Sequence, residues 1–217
     1  PVIIIIDEYD APLLDVLHNE DRLAEIRTVI QEFYAPIKAN DEYIRFAFIT
    51  GITKFSQLSI FSAINNLTNI SMDPEFAAIC GITKEELTTT LSQDIELMAE
   101  HNAVSKEEMA RMLQENYDGY HFTRNSPDIF NPFSLMRALA SGEIEDYWFA
   151  SGTSTYLINQ MQRFKTNVTE LDNVFAFSSS FDRPTEKMTD ALPLLYQSGY
   201  LTIKDYDPLT KGYFLGL

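Results

Sequence analysis

Five consecutive β-branched residues, Val2-Ile3-Ile4-Ile5-Ile6, follow Pro1, and the apolar run stops at Asp7-Glu8. No polar position interrupts it, so the pattern predicts a strand that is apolar on both faces, as in a parallel sheet covered by helices on each side. From Asp21 the period changes: Leu23, Ile26, Ile30, Phe33 and Ile37 recur at spacings of three and four, predicting a helix with one buried stripe that closes near Pro36. Tyr43 to Ile49 returns to strand-forming residues and ends at Thr50-Gly51. Strand, helix and strand in that order predict a parallel crossover, half of an α/β domain.

Beyond a mixed stretch through Ile70 the pattern becomes helical. Thr83-Lys84-Glu85-Glu86 has the form of a capping box and opens a helix with Leu87, Leu91, Ile95 and Met98 on one face. Ser105-Lys106-Glu107-Glu108 repeats the start signal, for a helix ending near Asn116. The aromatic segment Tyr117 to Phe122 predicts a short strand or hairpin arm reaching Phe130, and Asn131-Pro132 caps another helix. A last helix around Met188, Leu192 and Leu195 stops at Gly199. Two strand-like runs, 200–203 and 212–215, then flank a turn at Asp207-Pro208. Helix followed by hairpin is the pattern of a winged helix.

The fold class expected is therefore α/β plus mainly α. Residues 1–76 are expected to form a partial parallel sheet, 77–182 a helical lid-like region with a short hairpin, and 183–217 a winged-helix-like element. The chain opens inside a strand without an initiating Met, so it reads as a piece of a longer protein.

Charge narrows the partners. Sixteen basic against 32 acidic residues leave a formal charge of -16, which opposes attraction to nucleic-acid phosphates and anionic lipids. Cys80 is the single cysteine, so no internal disulfide is available. The longest apolar run is far shorter than the roughly 20 residues that span a bilayer, and a cytoplasmic protein is expected.

The strongest chemical signal is the delivery of two adjacent carboxylates, Asp7 and Glu8, to the carboxyl end of a predicted parallel strand, the edge where α/β sheets bind ligands. In a P-loop ATPase, a carboxylate there (Asp7) helps hold Mg2+ on the nucleotide phosphates, and the next (Glu8) polarises the attacking water as catalytic residue. The bland alternative is a loop cap and a solvated side chain. Asp10, ahead of Ala11-Pro12, reads as a helix N-cap. At the end of the neighbouring strand, Thr50, Thr53 and Lys54 are candidates for nucleotide contacts at the γ-phosphate, although loop hydroxyls and a surface lysine explain such residues singly. The eight glycines never form G-x-x-x-x-G-K-[ST], so this chain carries no phosphate-cradling loop. His18, His101 and His121 have no partners at metal-ligand spacing. Trp148 and Phe149 read as core or interdomain contacts.

Taken together, VIIIIDEYDAPL (2–13), FAFITGITKFS (46–56), YDGYHF (117–122), NPFSL (131–135) and LLYQSGYLTI (194–203) resemble the predicted AAA-ATPase-like family. The resemblance implies a bacterial, STAND-like module that uses ATP and Mg2+, in which the sheet of residues 1–76 is a partial P-loop NTPase sheet. A Walker A loop would precede this region, and a PD-(D/E)XK nuclease-like domain would commonly follow. It places Asp7 and Glu8 at Walker B and Thr50 to Lys54 in the sensor region, and it leaves the role of Tyr117 to Phe122 unassigned. It also implies that this piece alone binds no nucleotide and is inactive, with an attached domain or another protein as partner.

Two other readings stay open. One is a non-catalytic interaction or regulatory module whose acidic surface meets a protein. The other is a metal-dependent phosphoesterase built on Asp7, Glu8 and Asp10. Self-association through an uncovered sheet edge also stays open.

Overall fold

The computed structural model describes residues 1–17, 19–54, 67–147, 154–184 and 188–217; His18, Trp148 and Phe149 lie outside them. The elements run β1 (Val2–Ile6), α1 (Ala11–Leu14), α2 (Glu20–Ala39), β2 (Ile44–Ile49), β3 (Ile82–Thr83), α3 (Lys84–Thr88), α4 (Ser92–His101) and α5 (Lys106–Tyr117). They continue with β4 (Ile129–Phe130), α6 (Pro132–Ser141), α7 (Ser154–Phe164), β5 (Val174–Ala176), α8 (Ser178–Phe181), α9 (Leu192–Gln197), β6 (Thr202–Asp207) and β7 (Gly212–Gly216). No helix among the described residues is long and apolar enough to cross a membrane.

Two compact units result. The first comprises 1–68 and 177–200, the second 69–176 and 201–217. The chain is thus mixed α/β. Among the described residues one strand pair is parallel, in the first unit, where β1 and β2 run side by side with Ile6 opposite Ile49.

In the first unit the strands form as the β-branched run predicts, and among the described residues helices cover one face of the sheet. Ile4, Ile6, Ile44 and Ile49 pack on Leu13, Ile30, Tyr34 and Ile37 of α1 and α2. Ile3 and Ile5, alternating to the other face, are 62% and 72% exposed, and Phe46 beside Ile3 is 53% exposed. Among the described residues, helices pack on one of the two faces where cover on both was expected.

Helix α2 runs past the predicted stop. Pro36 sits inside it, and Asn40 closes the end with its backbone and side-chain N–H groups both donating to the Pro36 carbonyl, at 3.0 and 2.8 Å. Proline removes a donor but leaves its acceptor, and the acceptor suffices to carry the last turn. The buried stripe is Ile30, Tyr34 and Ile37, whereas Phe33 is 70% exposed. Tyr34 takes the place on the stripe expected for Phe33, because the i+4 step from Ile30 follows the helical period more closely than i+3.

The second unit is built on helices α3 to α6. The predicted box is present: Thr83 Oγ1 accepts the Glu86 N–H at 3.2 Å, and Glu86 Oε2 accepts the Thr83 N–H at 2.9 Å. The Thr83 N–H and, at 2.8 Å, the Thr83 hydroxyl both donate to Glu86 Oε2 and hold that carboxyl below the usual carboxylate range. The single helix expected from Leu87 to Met98 is divided into α3 and α4 at the threonine run 88–90. Thr88 and Thr89 turn their hydroxyls back onto the Lys84 and Glu85 carbonyls, which is how β-branched hydroxyl residues weaken a helix. Ser105 and Asn131 cap α5 and α6 as their positions predict.

Leu87, Ile95, Met98, Met109, Leu113, Phe130 and Leu135 close one core, each contributing about 1.5–3 kcal/mol by burial. In the same unit β7 lies between β5 and β6, antiparallel to both. Gly199, at φ +82°, follows α9 as expected, although that helix begins at Leu192 and leaves Met188 outside it.

Candidate functional site

The parallel register puts the residues after β1 and β2 at one edge. Ile6 pairs with Ile49, so Asp7 and Thr50 emerge together, and the Thr50 hydroxyl donates to Asp7 Oδ1. The backbone repeats the connection on both sides: Thr50 N–H donates to the Ile6 carbonyl at 2.8 Å, and Tyr9 N–H to the Thr50 carbonyl at 3.0 Å. Asp7 Oδ1 also accepts the Glu8 N–H at 3.0 Å. Asp7 and Glu8 are exposed.

Glu8 has φ +50°. That conformation costs a non-glycine residue about 1–2 kcal/mol, and strain of this kind clusters at functional sites. The contacts around it fix the turn: Ala11 N–H reaches the Glu8 carbonyl at 3.0 Å, and Tyr9 N–H is held by Thr50.

The other candidates diverge from this pair. Thr53 is buried, with its hydroxyl donating to Asp10 Oδ2 at 2.8 Å. Lys54 places Nζ 2.6 Å from Asp182 Oδ2 in an ion pair that is about three-quarters buried. Its backbone N–H donates to Gln197 Oε1 at 2.6 Å, while Gln197 Nε2 donates to the Phe181 and Arg183 carbonyls. The structure therefore joins Asp7, Glu8 and Thr50 at one exposed edge. It engages Thr53 with Asp10, and Lys54 with a segment more than a hundred residues later in the chain.

Asp10 stands at the N-cap position its sequence predicts, with Pro12 in the first turn, but its side chain turns elsewhere. It precedes α1 and accepts the Leu13 and Leu14 N–H groups through its carbonyl, but its side chain makes no cap. The carboxylate is 0% exposed and turns to the β2 loop, accepting the Ile52 N–H at 2.9 Å and the Thr53 N–H at 2.6 Å. Burial first, and the negative charge of Asp10 second, push the Tyr34 phenol up. Asp10 and Pro12 together match an N-cap signature, and nothing local distinguishes a carboxylate that reaches a second strand. Asp182 and Gln197 carry no sequence signal at all. Among the described residues no three His, Cys, Asp or Glu side chains group as a metal set. The engagement of both Asp10 oxygens sets it apart from Asp7 and Glu8.

The Tyr117 to Phe122 segment lies in the second unit and is occupied with that unit. Tyr117 Oη donates to the Glu145 carbonyl and accepts the Glu145 N–H, both at 2.9 Å. His121 Nδ1 donates to the Ile203 carbonyl at 3.0 Å, Nε2 lies 3.0 Å from Asp128 Oδ1, and the His121 N–H donates to Thr202 Oγ1. Desolvation pushes the Asp118 carboxyl up, opposed by the Gly119 N–H on its Oδ1. Tyr120 and Phe122 meet edge to face with ring centroids 4.7 Å apart, a packing arrangement.

Residues 1–61 match the family model described as predicted AAA-ATPase. The chain is 31% identical over 202 residues to an uncharacterized protein in the vnfD 5' region of Azotobacter chroococcum mcd 1. That alignment covers 93% of this chain and 37% of the relative, so the chain spans little more than a third of the relative's length. No solved structure matches the chain at a significant level.

Proposed function

We propose that this chain is part of an AAA-ATPase-like protein in which Asp7, Glu8 and Thr50 form the magnesium and water edge of an ATP site. The observation that carries this reading is the pairing of Thr50 with Asp7 at the carboxyl end of two parallel strands, inside the segment matched by the family model. An exposed carboxylate beside a hydroxyl is a hard-oxygen donor set of the kind Mg2+ takes together with water and phosphate. When bound, the ion would neutralise phosphate charge. Asp7 would hold it. Glu8 would orient the attacking water and take its proton, and Thr50 would fix the Asp7 carboxylate.

Thr53 and Lys54 keep a narrower part in this proposal. Lys54 reaches a phosphate only by exchanging Asp182 for it, and Thr53 serves through its backbone and its bond to Asp10. The phosphate-cradling loop, a winged-helix-like role for residues 183–217, a nuclease-like effector domain and a STAND-like switch in a bacterial cytoplasm complete the proposal for the whole protein. Direct DNA binding by this acidic chain is not part of it.

A second reading, a non-catalytic interaction module, draws on the exposed Ile3, Ile5 and Phe46 face. Titration calorimetry separates the two, with Mg-ATP added to this chain and to a version extended upstream through the next phosphate-loop motif. Binding by the extended form alone supports the ATPase reading. Binding by neither leaves the interaction module.

A further inference from the structure

The geometry points to Asp10 as a positioning residue: its buried carboxylate sets the loop after β2 and, through Thr50, the carboxylate edge of the proposed ATP site, on which reading this inference rests. Residues 6–10 and 50–53 are fastened at successive points. Ile6 and Tyr9 hold both backbone groups of Thr50, and Asp10 holds the N–H groups of Ile52 and Thr53 and the Thr53 hydroxyl. Tyr9 Oη donates to the Thr53 carbonyl at 3.2 Å. The one position between them, Gly51, has no side chain, and a Cβ there would run into the Tyr9 ring and lie 2.7 Å from Asp10 Oδ1. Tyr9 and Asp10 therefore close over a glycine that only the absence of a side chain makes passable.

The chemistry selects aspartate. All three groups facing the carboxylate are donors, and an ionised carboxylate is acceptor-only, whereas an amide would turn an NH2 toward at least one of them. A buried acceptor that receives charge-assisted bonds from backbone N–H groups is the stronger kind of contact, and its loss strands those donors. Because Asp10 is fully buried it meets no ligand itself. Its effect on the site passes through the loop to Thr50 and from Thr50 to Asp7.

The test is Asp10→Asn in the full-length protein, read by Mg-ATP hydrolysis and by amide hydrogen exchange at Ile52 and Thr53. The expected result is a fall in kcat of about 10- to 100-fold with KM changed less than about twofold, as for partners that orient a metal ligand. Exchange at the two amides accelerates at least about tenfold. Thr53→Val removes one of the three donors without touching the carboxylate and is expected to lower kcat about two- to fivefold, while Thr53→Ser keeps it. This pair decides the matter if Asp10→Asn does not fold. Unchanged kcat per folded molecule, with only a lower Tm, overturns the positioning role. A wild-type protein that neither binds nor hydrolyses Mg-ATP defeats the nucleotide reading instead. The clamp is then judged by exchange at Ile52 and Thr53, where unaltered rates in Asp10→Asn overturn it.

Discussion

The β1–β2 pair and the helical core of the second unit solve opposite problems. In the second unit Met109, Leu113, Phe130 and Leu135 are enclosed on every side. In the first, half of a five-residue apolar strand faces outward, while the polar residues that follow it are fastened by named hydrogen bonds. Stability is concentrated where hydrophobic residues converge from several elements. The candidate polar residues gather where two short strands end together and are held by hydrogen bonds. The difference teaches that composition and burial are separate properties of a strand: five apolar residues in a row do not by themselves enclose both faces.

That contrast is broken or sharpened most strongly by truncation. Phe130→Ala is expected to cost about 3–5 kcal/mol, because the side chain is fully enclosed and its loss leaves a cavity. Ile5→Ala, on the open face, is expected to cost less than about 1 kcal/mol. Paired urea melts measure both, and equal costs would erase the distinction between the two regions.

Next comes Gly51→Ala, which drives a methyl into Tyr9 and Asp10 and is expected to cost about 1–3 kcal/mol while leaving the second unit's core signals intact by NMR. Thr83→Ala removes the cap of α3 and is expected to cost about 1 kcal/mol in the same melts.

The smallest effect concerns Asp118. Its carboxyl is raised by desolvation, so its contribution to stability is fully present below the unfolded pKa and lost as pH rises through the folded value. Asp118→Asn keeps an acceptor for the Gly119 N–H and removes the charge. It is expected to raise Tm by about 1–2 °C at pH 7, with the gain shrinking as pH falls through the raised folded value and gone below the unfolded pKa of about 3.9. A gain independent of pH would assign the effect to something other than the buried charge.

How much was legible in the sequence follows the same division. The strands β1 and β2, the box at Thr83, and the caps at Ser105 and Asn131 are written in adjacent residues, and they appear where the pattern puts them. Asp7, Glu8 and Thr50 could be placed on a common edge because parallel pairing of two recognisable strands leaves little freedom in register. The Asp10 side chain could not be placed, since a cap and a clamp use the same residue before the same proline. Lys54 was legible as a polar residue at that edge but not as the partner of Asp182, a contact set by tertiary structure. The end of α2 was misplaced for a related reason: Pro36 signals a stop locally, and Asn40 supplies the bonds that postpone it.

The central claim is that the edge formed by Asp7, Glu8 and Thr50 activates water for ATP hydrolysis in the whole protein. Its most direct measurement is steady-state Mg-ATP turnover by the full-length protein and by Glu8→Gln, with nucleotide affinity measured in parallel. Turnover lower by about 100-fold or more in Glu8→Gln, with affinity retained, is the result predicted for a residue that orients and deprotonates the attacking water. Equal turnover by the two proteins, or none by either, would contradict it.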